Sequence, residues 1–87
     1  MTRYVAAITG GAGHIGRAIA RKLAGRGVLI AVLDKSAQAG QAFAAELEAA
    51  HPGGHRFVDA DLMQPESFAA IRAQIESAFG RLDYLVN

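Results

Sequence analysis

Two hydrophobic rhythms alternate along this chain. Val5-Ala6-Ala7-Ile8 is a continuous apolar run cut off by Thr9-Gly10-Gly11, the pattern of a strand buried on both faces. From Gly13 to Arg26 the period lengthens. Ile15, Ile19 and Leu23 recur every four residues, Arg17, Arg21 and Lys22 stand off that stripe, and Gly25 and Gly27 end it. This spacing predicts an amphipathic helix on the Ile15-Ile19-Leu23 stripe. Val28 to Leu33 is a second unbroken apolar run, stopped by Asp34-Lys35-Ser36, and predicts a second strand. Ser36 is placed to cap an alanine-rich helix, with Phe43 and Leu47 four apart, that ends near Ala50 before Pro52-Gly53-Gly54.

Phe57, Val58 and Ala60 predict a third short strand with Asp59 and Asp61 near its C-terminal end. Pro65 suits the first turn of a third helix, in which Phe68, Ile71, Ile75 and Phe79 recur at helical spacing before Gly80. Leu82, Tyr84, Leu85 and Val86 begin a fourth strand. Strict alternation of strand and helix with short connections implies parallel pairing through right-handed crossovers. The expected fold class is α/β: a partial Rossmann fold, with a doubly wound parallel sheet in the order 3-2-1-4 and helices on both faces.

Composition narrows the function classes. The 87 residues have room for one domain, so a multi-domain enzyme is excluded. Nine Lys plus Arg against eight Asp plus Glu give a formal charge of +1, with no basic stripe for nucleic acid and no polybasic tail for a membrane surface. The 52% hydrophobic content is inflated by nineteen alanines. The longest apolar run, Val28 to Leu33, falls far short of the roughly 18 residues a membrane span needs. The glycine-broken N-terminal stretch is no signal peptide. Without cysteine there is no disulfide framework, thiolate nucleophile or Cys-ligated zinc, and the cytoplasm is the default compartment.

Chemistry concentrates in Thr9-Gly10-Gly11-Ala12-Gly13-His14-Ile15-Gly16, between the first strand and first helix. Glycines suit such a turn for separate reasons. Gly10 is assigned to the sharp turn, Gly13 to close approach of a pyrophosphate, and Gly16 to packing of helix on strand. The free N–H groups at the start of the helix favour a phosphate; the alternative is a tight strand-to-helix turn without a ligand, against which the three-glycine spacing followed by Asp34 weighs. Asp34, eighteen residues after Gly16, is either a helix-capping or turn aspartate or an acceptor of hydrogen bonds from a ribose 2′-OH, and the second reading argues for NAD. Two unit charges about 4 Å apart at an effective dielectric near 20 interact by roughly 4 kcal/mol, so Asp34 would oppose the 2′-phosphate of NADP. Lys35 is either a partial offset or a solvated lysine. Asp61 reads equally as an acceptor for an adenine amino group or as an exposed strand-end aspartate. Leu62 could offer an N–H and an apolar wall. His14 either contacts a phosphate or faces solvent; with His51 and His55 flanking a turn, no metal-ligand cluster forms.

These residues carry a resemblance. The chain resembles the N-terminal part of a short-chain dehydrogenase/reductase over its whole length. The resemblance rests on Thr9-Gly-Gly-Ala-Gly-His-Ile-Gly16, the Arg17-Ala-Ile-Ala20 after it, Asp34, Asp61-Leu62 before Pro65-Glu66-Ser67, and Phe79-Gly-Arg-Leu-Asp-Tyr-Leu-Val-Asn87. It implies cofactor-binding roles for Gly10, Gly13, Ile15, Gly16, Asp34, Asp61 and Leu62, with Asp61-Leu62 on the adenine. His14 departs from the glycine of the compact branch's Thr-Gly-x-x-x-Gly-x-Gly, while Gly13 fits the extended branch's spacing; overall similarity favours the compact branch. The family's Ser, Tyr-x-x-x-Lys and Asn are expected after position 87, because Tyr4 is followed four positions on by Ile8 and Tyr84 has no partner at that spacing. Residues 1–87 are therefore expected to be an NAD(P)-binding Rossmann segment, truncated before its catalytic half. The reaction implied is hydride transfer between a nicotinamide and an alcohol or carbonyl substrate.

The alternatives are an autonomous dinucleotide-binding module without catalytic activity, and a structural or regulatory Rossmann-like domain or methyltransferase cofactor half. Competition between NAD and S-adenosylmethionine separates the last from the others. Substrate identity lies outside these residues, and assembly into a homo-oligomer stays open.

Overall fold

A computed structural model of the chain describes residues 3–59 and 67–86. Strands and helices alternate: β1 (Val5–Thr9), α1 (His14–Gly25), β2 (Leu29–Asp34), α2 (Ala37–Ala50), β3 (Arg56–Asp59), α3 (Ser67–Phe79) and β4 (Tyr84–Val86). The four strands form one sheet in the order β3-β2-β1-β4, with every pairing parallel. Fold class and strand order agree with the sequence pattern, and element ends differ by one or two residues. Of the residues used in that pattern, Ala60, Asp61, Leu62, Pro65 and Asn87 lie outside the described ones.

Side-chain alternation splits the core in two. On one face Ala6, Ile8, Ile30 and Val32 meet Ala20 and Ala24 of α1 and Phe43, Ala44 and Leu47 of α2. On the other face Val5, Ala7, Ala31, Leu33 and Val58 meet Ile71 and Ile75 of α3. Handedness explains this division. The crossovers β1-α1-β2 and β2-α2-β3 step the same way across the sheet and share a face. The crossover to β4 steps back past β1, and a right-handed turn in that direction places α3 on the opposite face.

The buried stripe of α1 corrects one sequence expectation. Gly16, Ala20 and Ala24 are its buried residues, Ile19 and Leu23 flank the core half-buried, and Ile15 is 78% exposed. At the line of closest approach the helix lies so near the sheet that only residues without a long side chain fit, and the larger ones splay to either side. The α2 expectation agrees with the structure: the Ser36 hydroxyl accepts the Ala39 N–H at 3.4 Å, and Phe43 and Leu47 are buried. Arg17 and Arg21 lie over the Phe43 ring, 5.0 and 5.4 Å from its centroid. Both reach Glu46, so α1 is tied to α2 outside the core.

At the sheet's N-terminal edge, β1 and β4 are bracketed by one residue. Asp83 donates its N–H to the Val5 carbonyl at 2.9 Å and accepts the Val5 N–H on its carboxylate at 2.8 Å. The Arg81 guanidinium lies against that carboxylate, which holds the acid below its ordinary value.

Candidate functional site

The turn from β1 into α1 is shaped by glycines. Gly10 has φ +59°, the left-handed region that favours glycine, and reverses the chain as it leaves β1. Gly13 is the helix N-cap in extended conformation, with φ −81° and ψ 171°. Its N–H donates to the Gly10 carbonyl at 2.9 Å, and its own carbonyl receives the Arg17 N–H at 2.8 Å. Gly16 is buried because the turn folds back over it: a Cβ there would run into the Gly10 carbonyl oxygen and lie 2.9 Å from the Gly11 Cα. The role assigned to Gly16 is thereby corrected. The missing side chain makes room for the loop's own backbone more than for strand β1, because the loop is what crosses the first helical turn.

Gly11, to which the sequence reading gave no role, is as constrained. A Cβ on it would sit 2.9 Å from the Ile8 carbonyl oxygen and 3.0 Å from Val32 Cγ1. Its N–H reaches across to the Leu33 carbonyl at 3.1 Å. The sequence carries the signal as the second glycine of the Gly10-Gly11 pair, which lies outside the three-glycine spacing.

Asp34 stands at the end of β2, beside this loop. Its Oδ2 accepts the Ala12 N–H at 3.3 Å and its Oδ1 accepts the Ser36 N–H at 2.9 Å. An ionised carboxylate offers about four lone-pair sites, so two backbone donors leave capacity for hydroxyl groups of a ligand. Asp34 is paired in register with Asp59 of β3.

A cleft of about 480 Å³ opens over the loop at the C-terminal edge of the sheet, bounded by Ile8, Gly10, Gly13, Ile15, Gly16 and Val86. It lies where β1 is flanked by β2 on one side and β4 on the other, the point at which the strand order reverses and at which open α/β sheets take their ligands. The Thr9 hydroxyl donates to the Val86 carbonyl at 3.2 Å and fixes the two strand ends that form its floor. His14 and Ile15 line the same cleft.

The donor set fits a dinucleotide pyrophosphate. Gly13 supplies no side-chain cap and the first turn of α1 has no acidic residue, so the helix start presents N–H groups and a positive dipole end to an anion. Gly10, Gly13, Ile15, Gly16 and Asp34 thus share one edge of the sheet. Asp61 and Leu62 lie outside the described residues. Among the described residues, no three His, Cys, Asp or Glu side chains are grouped to hold a metal, and no helix is long and apolar enough to cross a membrane.

A parallel 3-2-1-4 sheet with a glycine turn at its switch point and an acid ending the neighbouring strand defines a Rossmann-type nucleotide-binding architecture. The chain belongs to the short chain dehydrogenase family, whose model matches residues 4–87. The D-threitol dehydrogenase of Mycolicibacterium smegmatis is 40% identical over 83 residues, covering 95% of this chain and 32% of the relative. The structure of L-sorbose reductase from Gluconobacter frateurii, complexed with NADPH and L-sorbose, matches with a TM-score of 0.91 at 31% identity, over 100% of this chain and 33% of its own. NAD+-bound xylitol dehydrogenase matches with a TM-score of 0.90 at 28% identity, over 97% of this chain and 32% of its own. The chain spans about a third of the length of these relatives.

Proposed function

We propose that this chain is the cofactor-binding segment of a cytoplasmic NAD-dependent oxidoreductase that interconverts an alcohol and a carbonyl compound. The observation that carries the reading is the meeting of two features at one edge: the uncapped start of α1 behind the glycine turn, and the Asp34 carboxylate hydrogen-bonded to that turn. Relatives of this family that act on polyols and sugars support the substrate class.

In this reading the N–H groups of the first turn of α1 hold the pyrophosphate, with Gly10 and Gly16 shaping the turn and Gly13 letting the phosphates approach the backbone. Ile15, exposed at the mouth of the cleft, gives the cofactor an apolar surface to cover. Asp34 accepts the hydroxyls of the adenosine ribose, and Asp61 with Leu62 receives the adenine. The bound nicotinamide supplies hydride chemistry, and these residues bind and orient it. NAD is favoured over NADP because the Asp34 carboxylate, oriented by two backbone donors, would place its negative charge beside a 2′-phosphate. The sequence contains no Tyr-x-x-x-Lys pair. The 87 residues by themselves are therefore expected to bind cofactor without turnover.

Titration of the chain with NAD and NADP tests this reading. NAD is expected to bind about tenfold or more tightly, and Asp34→Ala is expected to weaken NAD and narrow the gap. Equal affinities in the unmodified chain, or an unchanged preference in the variant, would remove Asp34 from the ribose site.

A further inference from the structure

Two consecutive N–H groups of the glycine loop are held by two consecutive residues of β2. The Gly11 N–H goes to the Leu33 main-chain carbonyl, and the Ala12 N–H goes to the Asp34 carboxylate. The first bond is backbone to backbone, and any residue at position 33 could make it. The second depends on the side chain at 34, and it falls midway between the Gly10 reversal and the Gly13 cap. The other Asp34 oxygen is held by Ser36, two residues on, so the carboxylate that grips the loop is itself oriented.

We infer that Asp34 is a positioning residue for the phosphate loop, in addition to any contact it makes with a ribose. The inference rests on the reading of this loop as the pyrophosphate site. Removing the carboxylate leaves the Ala12 N–H without its acceptor and frees the segment between Gly11 and Gly13, whose conformation sets the direction of the helix's first N–H groups. A ligand that never touches Asp34 should then still feel its loss.

Inorganic pyrophosphate is such a ligand, and the experiment pairs it with amide exchange on the ligand-free chain. In Asp34→Ala the Ala12 amide is expected to exchange about tenfold or more faster, the consequence of losing one charge-assisted hydrogen bond, while the Ile30 and Val32 amides keep their protection. Because both substitutions remove the same negative charge from beside the anion site, the comparison is with Asp34→Asn: pyrophosphate affinity is expected to be several-fold lower in Asp34→Ala than in Asp34→Asn, and NAD affinity to fall below that of the unmodified chain. Asp34→Asn provides a second variant should the alanine variant fail to fold; its amide oxygen can still accept from one of the two donors, and intermediate Ala12 exchange is expected. Unchanged Ala12 exchange, or equal pyrophosphate binding in the two variants beside a loss of NAD, would overturn the inference and leave Asp34 a ribose ligand only. If the unmodified chain binds neither NAD nor pyrophosphate, the dinucleotide reading fails, and Ala12 exchange alone decides whether Asp34 braces the loop.

Discussion

The imidazole of His55 takes the place of a rung of the sheet: its Nδ1 accepts the Ile30 main-chain N–H at 3.0 Å, just ahead of the first β2–β3 pair, Ala31 with Arg56. The ring's Nε2 lies 2.7 Å from the His51 carbonyl oxygen. A carbonyl only accepts, so Nε2 carries the proton and Nδ1 is bare; the Ile30 contact requires the neutral ring, whereas the His51 contact can be made in either state. Burial of the ring, 6% exposed, pushes its pKa below the ordinary value of 6.5. The Glu48 carboxylate and the His51 carbonyl pull it up, and the Arg3 and His51 charges add to the depression.

A folded-state value below the unfolded one means that the unfolded chain takes up the proton first. Stability is therefore full above about pH 6.5 and declines as the pH falls from there toward the folded-state value. Urea unfolding at about pH 8 and about pH 5.5 should show this decline, and His55→Ala should flatten it. At the higher pH the variant should be less stable by about 1–3 kcal/mol, because the Ile30 N–H is left buried without an acceptor. A variant that keeps the unmodified slope would assign the titration to another group.

A second acid-sensitive contact lies directly beside it. The Glu48 carboxylate accepts the N–H groups of Gly53, Gly54 and His55 at 2.8–3.1 Å, which lowers its pKa from 4.5. This contribution is complete above about pH 4.5 and disappears as the pH falls below it, a lower window than that of His55. Glu48→Gln should leave the decline near pH 6 in place and weaken the one below about pH 4.5, as read from circular dichroism during acid titration. Loss of the upper decline instead would reverse the two assignments.

Gly13 at the helix N-cap and Gly16 in its first turn should part company on substitution. Gly16→Ala forces a methyl into the Gly10 carbonyl and should destabilise the fold by about 1–3 kcal/mol while displacing the loop. Gly13→Ala would bring a methyl to 3.3 Å from the Gly10 oxygen, a tight contact that a shift of a few tenths of an ångström relieves. It should lower the unfolding midpoint less than Gly16→Ala does, yet weaken NAD, because its methyl stands where the phosphates approach. Thermal melts with and without NAD distinguish the two, and similar stability losses in both variants would contradict the packing argument.

Glu46 looks central in a picture of α1 against α2, since it contacts both Arg17 and Arg21. Its side chain is 55% exposed, and pairs of that kind contribute little. Glu46→Ala should cost less than about 1 kcal/mol. Phe43→Ala, at a position 2% exposed, should cost about 3–5 kcal/mol. Denaturant unfolding of both variants at equal salt tests the ranking.

The element order was legible in the sequence because β1 and β2, buried on both faces, read as unbroken apolar runs, and turn-forming residues punctuate the chain between the elements. The face of α1 was not. Period alone places Ile15, Ile19 and Leu23 inward, whereas close approach selects the adjacent line of Gly16, Ala20 and Ala24, and small residues give no hydrophobic signal of their own. At the site, Gly10, Gly13, Ile15, Gly16 and Asp34 were visible as residue types at a spacing. The bond from Ala12 to Asp34 was hidden because it depends on how a loop folds across a neighbouring strand. His55 read only as the flank of a turn, since nothing in a sequence distinguishes an imidazole that fills a ladder position from one in water.

Parallel pairing gives this sheet two unlike rims. The rim at which the strands end bears the glycine turn and Asp34, and the rim at which they start bears His55 against Ile30 and Asp83 against Val5. Among the described residues these contacts share none between the two rims, so what the molecule recognises and the acid-sensitive contacts of His55 and Asp83 are written in separate alphabets. Tuning the acid tolerance of this chain and retargeting its ligand become independent design problems, and changes made at opposite rims should combine additively.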